Sequence, residues 1–169
     1  MMSTRDLVLT ALFAAIIVAL GLLPPISLGF IPVQITAQSL GVMMAGVVLG
    51  ARRGAIAVLI VLVLVAIGLP VLSGGRGGLA IFASPTAGFL IGWIFAAFVT
   101  GYLSERLVNH QQSGLVQTVS FFLTAMVGGI VVLYAFGIAY LATVAGLGFT
   151  KAFVGSMAFI PGDVIKAFV

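Results

Sequence analysis

Residues 54–75 read GAIAVLIVLVLVAIGLPVLSGG and contain no charged side chain. A helix needs about 20 predominantly apolar residues to cross the hydrocarbon core of a bilayer, so this stretch is long enough for one crossing. On either side of it the chain has three more uncharged runs, at residues 7–51, 77–104 and 107–150. Each of these is long enough for one or two crossings. Together the runs predict an all-α integral membrane protein.

The composition of the whole chain supports the same class. Of its 169 residues, 63% are apolar and only 6% are charged, whereas soluble domains carry roughly a quarter charged residues. The net charge of +4 is spread over separate loops, so it forms no basic stripe of the kind that binds nucleic acid. We therefore expect one transmembrane domain over residues 1–169 and no soluble domain.

Proline, glycine and charged stretches divide the runs into six predicted transmembrane helices. The predicted spans are about 6–23, 34–50, 54–71, 84–104 and 115–145, with a sixth that begins near Pro161. Too few residues follow Ile160 to cross a bilayer. Either the last helix begins earlier, near Thr150, with a kink at Pro161, or the native chain continues past Val169. A proline at the first helical position followed by an acid is a normal helix start, which favours the second reading and a truncated last helix.

The positive charges predict how the chain is oriented. With six spans, Arg76 and Lys151 lie on one side, and Lys166 lies near the start of the last helix. The positive residues of the opposite side are Arg5, Arg52, Arg53 and Arg106. Because cytoplasmic loops carry an excess of Lys and Arg, this small difference predicts a cytoplasmic N-terminus.

Asp163 and Lys166 are an acid and a base on one face of the last predicted helix. Ionisable groups inside a membrane span are costly, and they usually face a cavity or a partner. The spacing alone leaves open a second interpretation, in which the two residues form an interfacial ion pair that only anchors the helix. Gln34 and Gln38, at the head of the second predicted span, either cap a helix or line the same outer pocket.

Four glycines surround Arg76 in the loop GGRGG, residues 74–78. Glycine permits close approaches of the backbone, so the loop and its arginine could receive an anionic or carbonyl-bearing ligand. The loop lacks the Lys-Ser/Thr that follows a phosphate-binding P-loop. The alternative is a flexible turn whose arginine extends to lipid head groups.

The first predicted span has Ala11, Ala15 and Ala19 at a four-residue period. Such a stripe of small residues lets another helix approach closely, although internal packing would also use it. Catalytic and metal sites are not predicted. The chain has no cysteine and one histidine, His110, which lies in a polar loop without an acid cluster and which we interpret as solvated.

Three stretches in the same order resemble one family. They are PVQITAQSLGVMMAGVVLGARRGA, GLPVLSGGRGGLAIFASPTAGFLIGW and IPGDVIKAFV, within residues 31–55, 68–93 and 160–169. Together they resemble the BioY family, the substrate-binding S components of energy-coupling factor (ECF) biotin transporters. The resemblance implies six transmembrane helices, no enzymatic activity and no cofactor. Biotin would be the transported ligand, bound near the outer surface under the loop between helices 1 and 2.

The resemblance also implies which residues form the biotin site. The family's glycine loop and PGD-x-x-K helix start correspond here to Gly75, Arg76, Gly77, Asp163 and Lys166. We expect Asp163 to accept hydrogen bonds from the ureido N–H groups, and Arg76 or Lys166 to bind the carboxylate. Neutral hydrogen bonds are expected from Gln34, Gln38, Ser84 and Thr86.

For the mechanism, the resemblance implies a transmembrane coupling protein and two ATP-binding subunits as partners. The stripe Ala11/Ala15/Ala19 resembles the alanine motif by which S components dock to the coupling protein. The expected location is the bacterial or archaeal cell membrane, with several crossings. The competing hypothesis is an autonomous small channel, or a transporter for another vitamin-like solute. A channel needs polar groups across its full depth, whereas the polar groups here cluster on one side.

Overall fold

The structure, a computed structural model, describes residues 2–108 and 113–169. His110 lies outside these residues. Helices form almost all of the regular structure, and a two-residue antiparallel ladder is the only sheet in the described part. The elements are α1 (Thr4–Leu20), β1 (Ile26–Ser27), β2 (Gln34–Ile35), α2 (Gln38–Leu49), α3 (Ala51–Ala66), a 3₁₀ turn (Leu79–Ala83), α4 (Ala87–Leu107), α5 (Gly114–Met126), a π turn (Val127–Val132), α6 (Leu133–Thr143), α7 (Phe149–Met157) and α8 (Ile160–Phe168).

The first helix begins at a capping box. Ser3 Oγ accepts a hydrogen bond from the Asp6 backbone N–H at 3.2 Å, and Asp6 Oδ2 accepts one from the Ser3 N–H at 3.0 Å. These contacts satisfy two N–H groups that a helix start leaves without partners. The other oxygen of Asp6 lies 2.6 Å from Arg53 Nη1. The start of α1 is thereby tied to the first turn of α3.

Two continuous helical stretches of the described chain are long and apolar enough to cross a membrane. They are Ala87–Leu107, with 21 residues, and Gly114–Thr143, with 30 residues. The second runs through α5, the π turn and α6, and it agrees with the single predicted span 115–145. The structure is mostly helical, as predicted from the uncharged runs.

The other predicted spans differ from the observed helices at their ends. Residues 34–50 do not form one helix, because Gln34 and Ile35 pair with Ser27 and Ile26 before α2 begins at Gln38. The third helix ends at Ala66, several residues before the predicted end at 71. The Gly68 backbone adopts a φ of +102°, which other residues rarely adopt, so the helix does not continue through it.

The C-terminal segment is helical on both sides of a break. The helix α7 begins at Phe149, two residues then make 3₁₀-type hydrogen bonds, and α8 begins at Ile160. Pro161 has no N–H, and its ring crowds the preceding turn, which explains the break. A helix start beside Pro161 was predicted correctly. The preference for a last segment without a helix before Pro161 was wrong, because α7 matches the less favoured alternative of an earlier start near Thr150.

The fourth helix lies at the centre of the bundle and packs against α2, α3, α5, the π turn and α6. Glycines permit the closest approaches, because a Cβ atom on Gly128 would collide with Thr100 Oγ1 and one on Gly129 would collide with Met43. Large apolar side chains cover much of the outer surface, among them those of Val63, Phe98, Leu123 and Val131. An apolar surface of this extent is the kind that meets a membrane or a protein partner.

Candidate functional site

A cavity lies at one end of the bundle. Its walls come from residues 33–36, the first turn of α2, the 72–76 loop, the first turns of α4, the start of α6, Phe159 and α8. Six residues predicted from the sequence line it, namely Gln34, Gln38, Arg76, Thr86, Asp163 and Lys166. The structure therefore brings together side chains that are up to 132 positions apart in the chain (from 34 to 166).

Asp163 and Lys166 form a buried ion pair in the wall of this cavity. Their side chains are 7% and 15% exposed, and Lys166 Nζ lies 2.8 Å from Asp163 Oδ1. The same ammonium group donates to Ser39 Oγ and to the Thr36 backbone oxygen, both at 2.9 Å. A buried charge is tolerated only when it is paired and hydrogen-bonded. Here the three protons of the lysine each have an acceptor.

Tyr134 is a cavity residue that the sequence analysis missed. Its hydroxyl donates to Asp163 Oδ2 at 2.7 Å, and its ring meets the ring of Phe89 edge to face at 6.2 Å. Phe89 also contacts Phe159 edge to face, and Trp93 completes an aromatic wall. No local sequence signal marks Tyr134, because it lies within a long apolar run. The only available clue was that a buried acid in the last helix needs more than one hydrogen-bond donor.

Gln38 lines the cavity, but its amide is fully occupied within the protein. Its Nε2 donates to the backbone oxygens of Ile17 and Val71, each at 3.1 Å. Its Oε1 accepts from the N–H and the hydroxyl of Ser73. An amide side chain has two donors and two acceptor sites, so all of them are used. The predicted hydrogen bond from Gln38 to a ligand would require one of these contacts to break.

Gln34, in contrast, has a side-chain oxygen that can still accept a hydrogen bond. Its Nε2 donates to Ser27 Oγ on the neighbouring strand at 3.0 Å. Its Oε1 is buried and has no hydrogen-bond partner among residues 2–108 and 113–169. Since Gln34 lines the cavity, this oxygen is suited to accept an N–H or O–H of a ligand.

Arg76 supplies the cavity with a positive charge that no acid neutralises in the described chain. The loop that carries it is closed by two backbone hydrogen bonds between Leu72 and Arg76. Gly74 and Gly75 adopt φ angles of +79° and +69°, which explains why glycine occupies both positions. Nε of Arg76 donates to the Ser73 backbone oxygen, and partial burial lowers the pKa of the guanidinium. Together with the Asp163–Lys166 pair, it gives the lining a net positive charge.

Three predicted ligand residues lie outside the cavity lining. Gly75 is exposed in the turn. Gly77 packs so closely on Leu69 that a Cβ atom would collide with the Leu69 backbone oxygen. Ser84 donates to the Ile81 backbone oxygen at 2.6 Å and lies 2.8 Å from Thr86 Oγ1. In this structure Gly77 and Ser84 shape the loop and orient Thr86, and their contact with a ligand stays a prediction.

The alanine stripe of α1 faces outward. Ala11, Ala15 and Ala19 are all exposed, while Ala14 is buried in the bundle. The stripe is therefore not used for packing within the described chain, and it leaves a smooth surface open to another helix or to lipid. No group of three or more potential metal ligands occurs in residues 2–108 and 113–169.

Comparisons with known proteins identify the group to which the chain is similar. The model of the BioY family matches residues 1–169. The chain is 95% identical to the biotin transporter BioY of Rhizobium etli, over 99% of this chain and 90% of the relative. It is 54% identical to the biotin transporter BioY of Rhodobacter capsulatus, over 98% of this chain and 88% of the relative.

A solved structure has the same fold. The crystal structure of the S-component for biotin from an ECF-type ABC transporter superposes with a TM-score of 0.89 and is 34% identical. The match covers 99% of this chain and 89% of that one. A family match over the whole length, relatives of high identity and a shared fold lead to one conclusion: the chain belongs to the BioY family.

Proposed function

We propose that this chain is the biotin-binding membrane subunit of a vitamin uptake transporter, an S component of the ECF type and not an enzyme. The observation that carries the proposal is the cavity with its buried Asp163–Lys166 pair and Arg76, whose charge no acid neutralises in the described chain. The relatives named biotin transporters and the structural neighbour named an S-component for biotin give the ligand its identity.

The cavity has the groups that biotin requires. Biotin presents two ureido N–H donors, a carbonyl acceptor, a thioether ring and a carboxylate on an alkyl chain. Asp163 accepts from the ureido N–H groups, and the free oxygen of Gln34 adds a second acceptor. Arg76 binds the carboxylate. Phe89, Trp93 and the other aromatic side chains hold the ring and the chain by apolar contact.

We further propose that residues 1–169 form a single substrate-binding domain that crosses the membrane six times. The crossings are α1, α2, α3, α4, the continuous stretch α5–α6 and the pair α7–α8. Arg5, Arg52, Arg53 and Arg106 lie at helix ends on the side opposite the cavity, so the positive-inside rule supports a cytoplasmic N-terminus and an outward-facing cavity. The location is a bacterial or archaeal cell membrane.

Transport needs an energy source that comes from partners. We propose that a transmembrane coupling protein and two ATP-binding subunits join this chain, and that the coupling protein docks on Ala11, Ala15 and Ala19. The outward position of this stripe supports the proposal, because alanines at this spacing let a partner helix approach closely.

The test is a calorimetric titration of biotin into the detergent-purified protein, after mass spectrometry has shown that no vitamin was carried through purification. We expect saturable binding that is weakened by Asp163→Ala and by Lys166→Ala. The matched control is Asp6→Ala, which removes the acid of the ion pair with Arg53, away from the cavity. If vitamin-free protein binds no biotin, the proposed function is wrong, and the buried pair serves only to anchor α8.

A further inference from the structure

The π turn changes which face of the long helix Gly114–Thr143 meets the cavity. Thr124 and Ala125 are buried before the turn, Gly128, Gly129 and Ile130 within it, and Leu133, Tyr134, Gly137 and Ile138 after it. Thr124 and Gly128 are four residues apart, as are Leu133 and Gly137, whereas Gly128 and Leu133 are five residues apart. A π turn has this effect because it contains one residue more than an α-helical turn.

The extra residue decides where Tyr134 points. In an uninterrupted α-helix, position 134 would lie on the same face as position 127, two turns earlier. Val127 is exposed on the outer surface of the bundle. One additional residue rotates the rest of the helix by about 100°. This rotation takes Tyr134 from the outer surface to the cavity, where it is only 4% exposed.

At that position Tyr134 restrains the carboxylate of Asp163 from the side opposite the lysine. Tyr134 donates to Oδ2 at 2.7 Å, while Lys166 donates to Oδ1 at 2.8 Å. Ser39 Oγ lies 3.4 Å from Oδ1. With a strong donor on each oxygen, the carboxylate cannot rotate without breaking a short, charge-assisted hydrogen bond. The edge-to-face contact with Phe89 in turn fixes the ring of Tyr134.

We propose that Tyr134 is the positioning residue of the biotin site: placed by the π turn, it holds Asp163 in the orientation that accepts the N–H donors of the ligand. The inference rests on the proposed function and deepens it. Preorganisation raises affinity because the acceptor need not be reoriented when the ligand binds. Without the hydroxyl, the carboxylate is free to turn about its bond toward Lys166, and binding must first reverse that turn.

A double-mutant cycle distinguishes positioning from packing. We expect Tyr134→Phe to weaken biotin binding about tenfold, the loss that follows when the correct orientation of Asp163 is populated in only roughly a tenth of the free molecules. In an Asp163→Asn background the same substitution should change the affinity by less than about twofold, because the group it positions is already altered. If the hydroxyl served only the packing of α6, the two losses would add. Additive losses would overturn the proposal.

The matched control lies on the same helix. Tyr140 donates its hydroxyl to the Phe82 backbone oxygen and does not line the cavity, so Tyr140→Phe should leave biotin affinity unchanged. The proposed function and the positioning role of Tyr134 would be contradicted by different results. Protein that binds no biotin contradicts the proposed function. Protein whose binding is weakened by Asp163→Asn but not by Tyr134→Phe contradicts only the positioning role.

A second measurement keeps Tyr134 intact, in case its substitution disturbs folding. The chain has three tyrosines, so Tyr102→Phe/Tyr140→Phe leaves Tyr134 as the only one. Ultraviolet resonance Raman bands of tyrosine report the hydrogen bond of its hydroxyl. We expect these bands to shift when Asp163→Asn is added and to keep the signature of a donated hydrogen bond when biotin binds, because the hydroxyl retains its acceptor. Bands that do not respond to Asp163→Asn, or that show the hydrogen bond lost on biotin binding, would overturn the proposal.

Discussion

Lys166 Nζ lies 2.8 Å from Asp163 Oδ1, and the remaining two protons of the ammonium group bind Ser39 and Thr36. A ligand that binds Lys166 must therefore replace a contact that already exists. Asp163 Oδ2 accepts only from Tyr134 within the described residues, so it can take one further donor without losing a contact. This explains why affinity and stability respond differently to changes at this pair.

We predict that Asp163→Ala and Lys166→Ala each lower thermal stability, because either change leaves one buried charge without its partner. The cost of such a change is about 3–5 kcal/mol. The double variant Asp163→Leu/Lys166→Met should be more stable than either single variant while binding no biotin. Melting curves in detergent, recorded without ligand, measure the first effect and calorimetry measures the second. A double variant that is less stable than both singles would contradict this account of the pair.

Arg76 should bind the carboxylate of biotin. We predict that Arg76→Gln weakens biotin binding by about 10–100-fold, the range for a charge-assisted hydrogen-bonded pair. Biotin amide, which has no carboxylate, should bind the parent and the variant with nearly equal affinity. Arg106→Gln is the matched control, because Arg106 stacks on Tyr102 outside the cavity. If biotin and its amide lose affinity equally, Arg76 acts on the shape of the loop and not on the carboxylate.

Substitution of Gln38 should mainly lower stability, whereas substitution of Gln34 should mainly lower biotin affinity. Gln38→Ala removes four hydrogen bonds, three of them buried, that join α1, α2 and the 71–73 loop, so we predict a loss of roughly 2–4 kcal/mol of stability. Gln34→Ala removes one side-chain contact and the free acceptor, and it should lower biotin affinity severalfold with less than about 1 kcal/mol of destabilisation. Melting curves and titrations on both variants provide the comparison. The reverse pattern would show that Gln34 holds the loop and that Gln38 binds the ligand.

The alanine stripe should matter for uptake and not for binding. We predict that Ala15→Trp abolishes most biotin uptake by cells that carry the complete transporter, while purified protein binds biotin as the parent does. The bulky side chain blocks the close approach of a partner helix. Val63→Trp, on the exposed face of α3, adds a tryptophan elsewhere and serves as the control. Normal uptake by Ala15→Trp would place the docking surface elsewhere.

Much of the helical layout could be predicted because charges and glycines interrupt long apolar runs. The span predicted at 84–104 is the helix Ala87–Leu107, and the one at 115–145 is Gly114–Thr143. The ladder between residues 26–27 and 34–35 was not predicted, because two-residue strands have no periodicity of their own. The helix break at Gly68 was also missed, since the residues that follow it are as apolar as the helix.

The charged residues that line the cavity stood out in the sequence, whereas its aromatic residues did not. Asp163, Lys166 and Arg76 stand out because charge is rare in this chain, and the structure places all three at one cavity. Tyr134 could not be found in the same way. The run around the π turn is apolar on all sides, so the insertion of one residue leaves no trace in its hydrophobic pattern. Likewise, no spacing shows that the amide of Gln38 is already occupied.

The residues that line the cavity are spread from 33 to 166 in a chain of 169 residues. Because no partial fold contains the complete site, a ligand that fits it binds the native state and not the unfolded chain. Such a ligand stabilises the native state by about 4 kcal/mol at a thousandfold excess over its dissociation constant. Vitamin present during expression would thus act as a folding aid. Variants with remote packing defects would be recovered from vitamin-rich cultures and lost from starved ones.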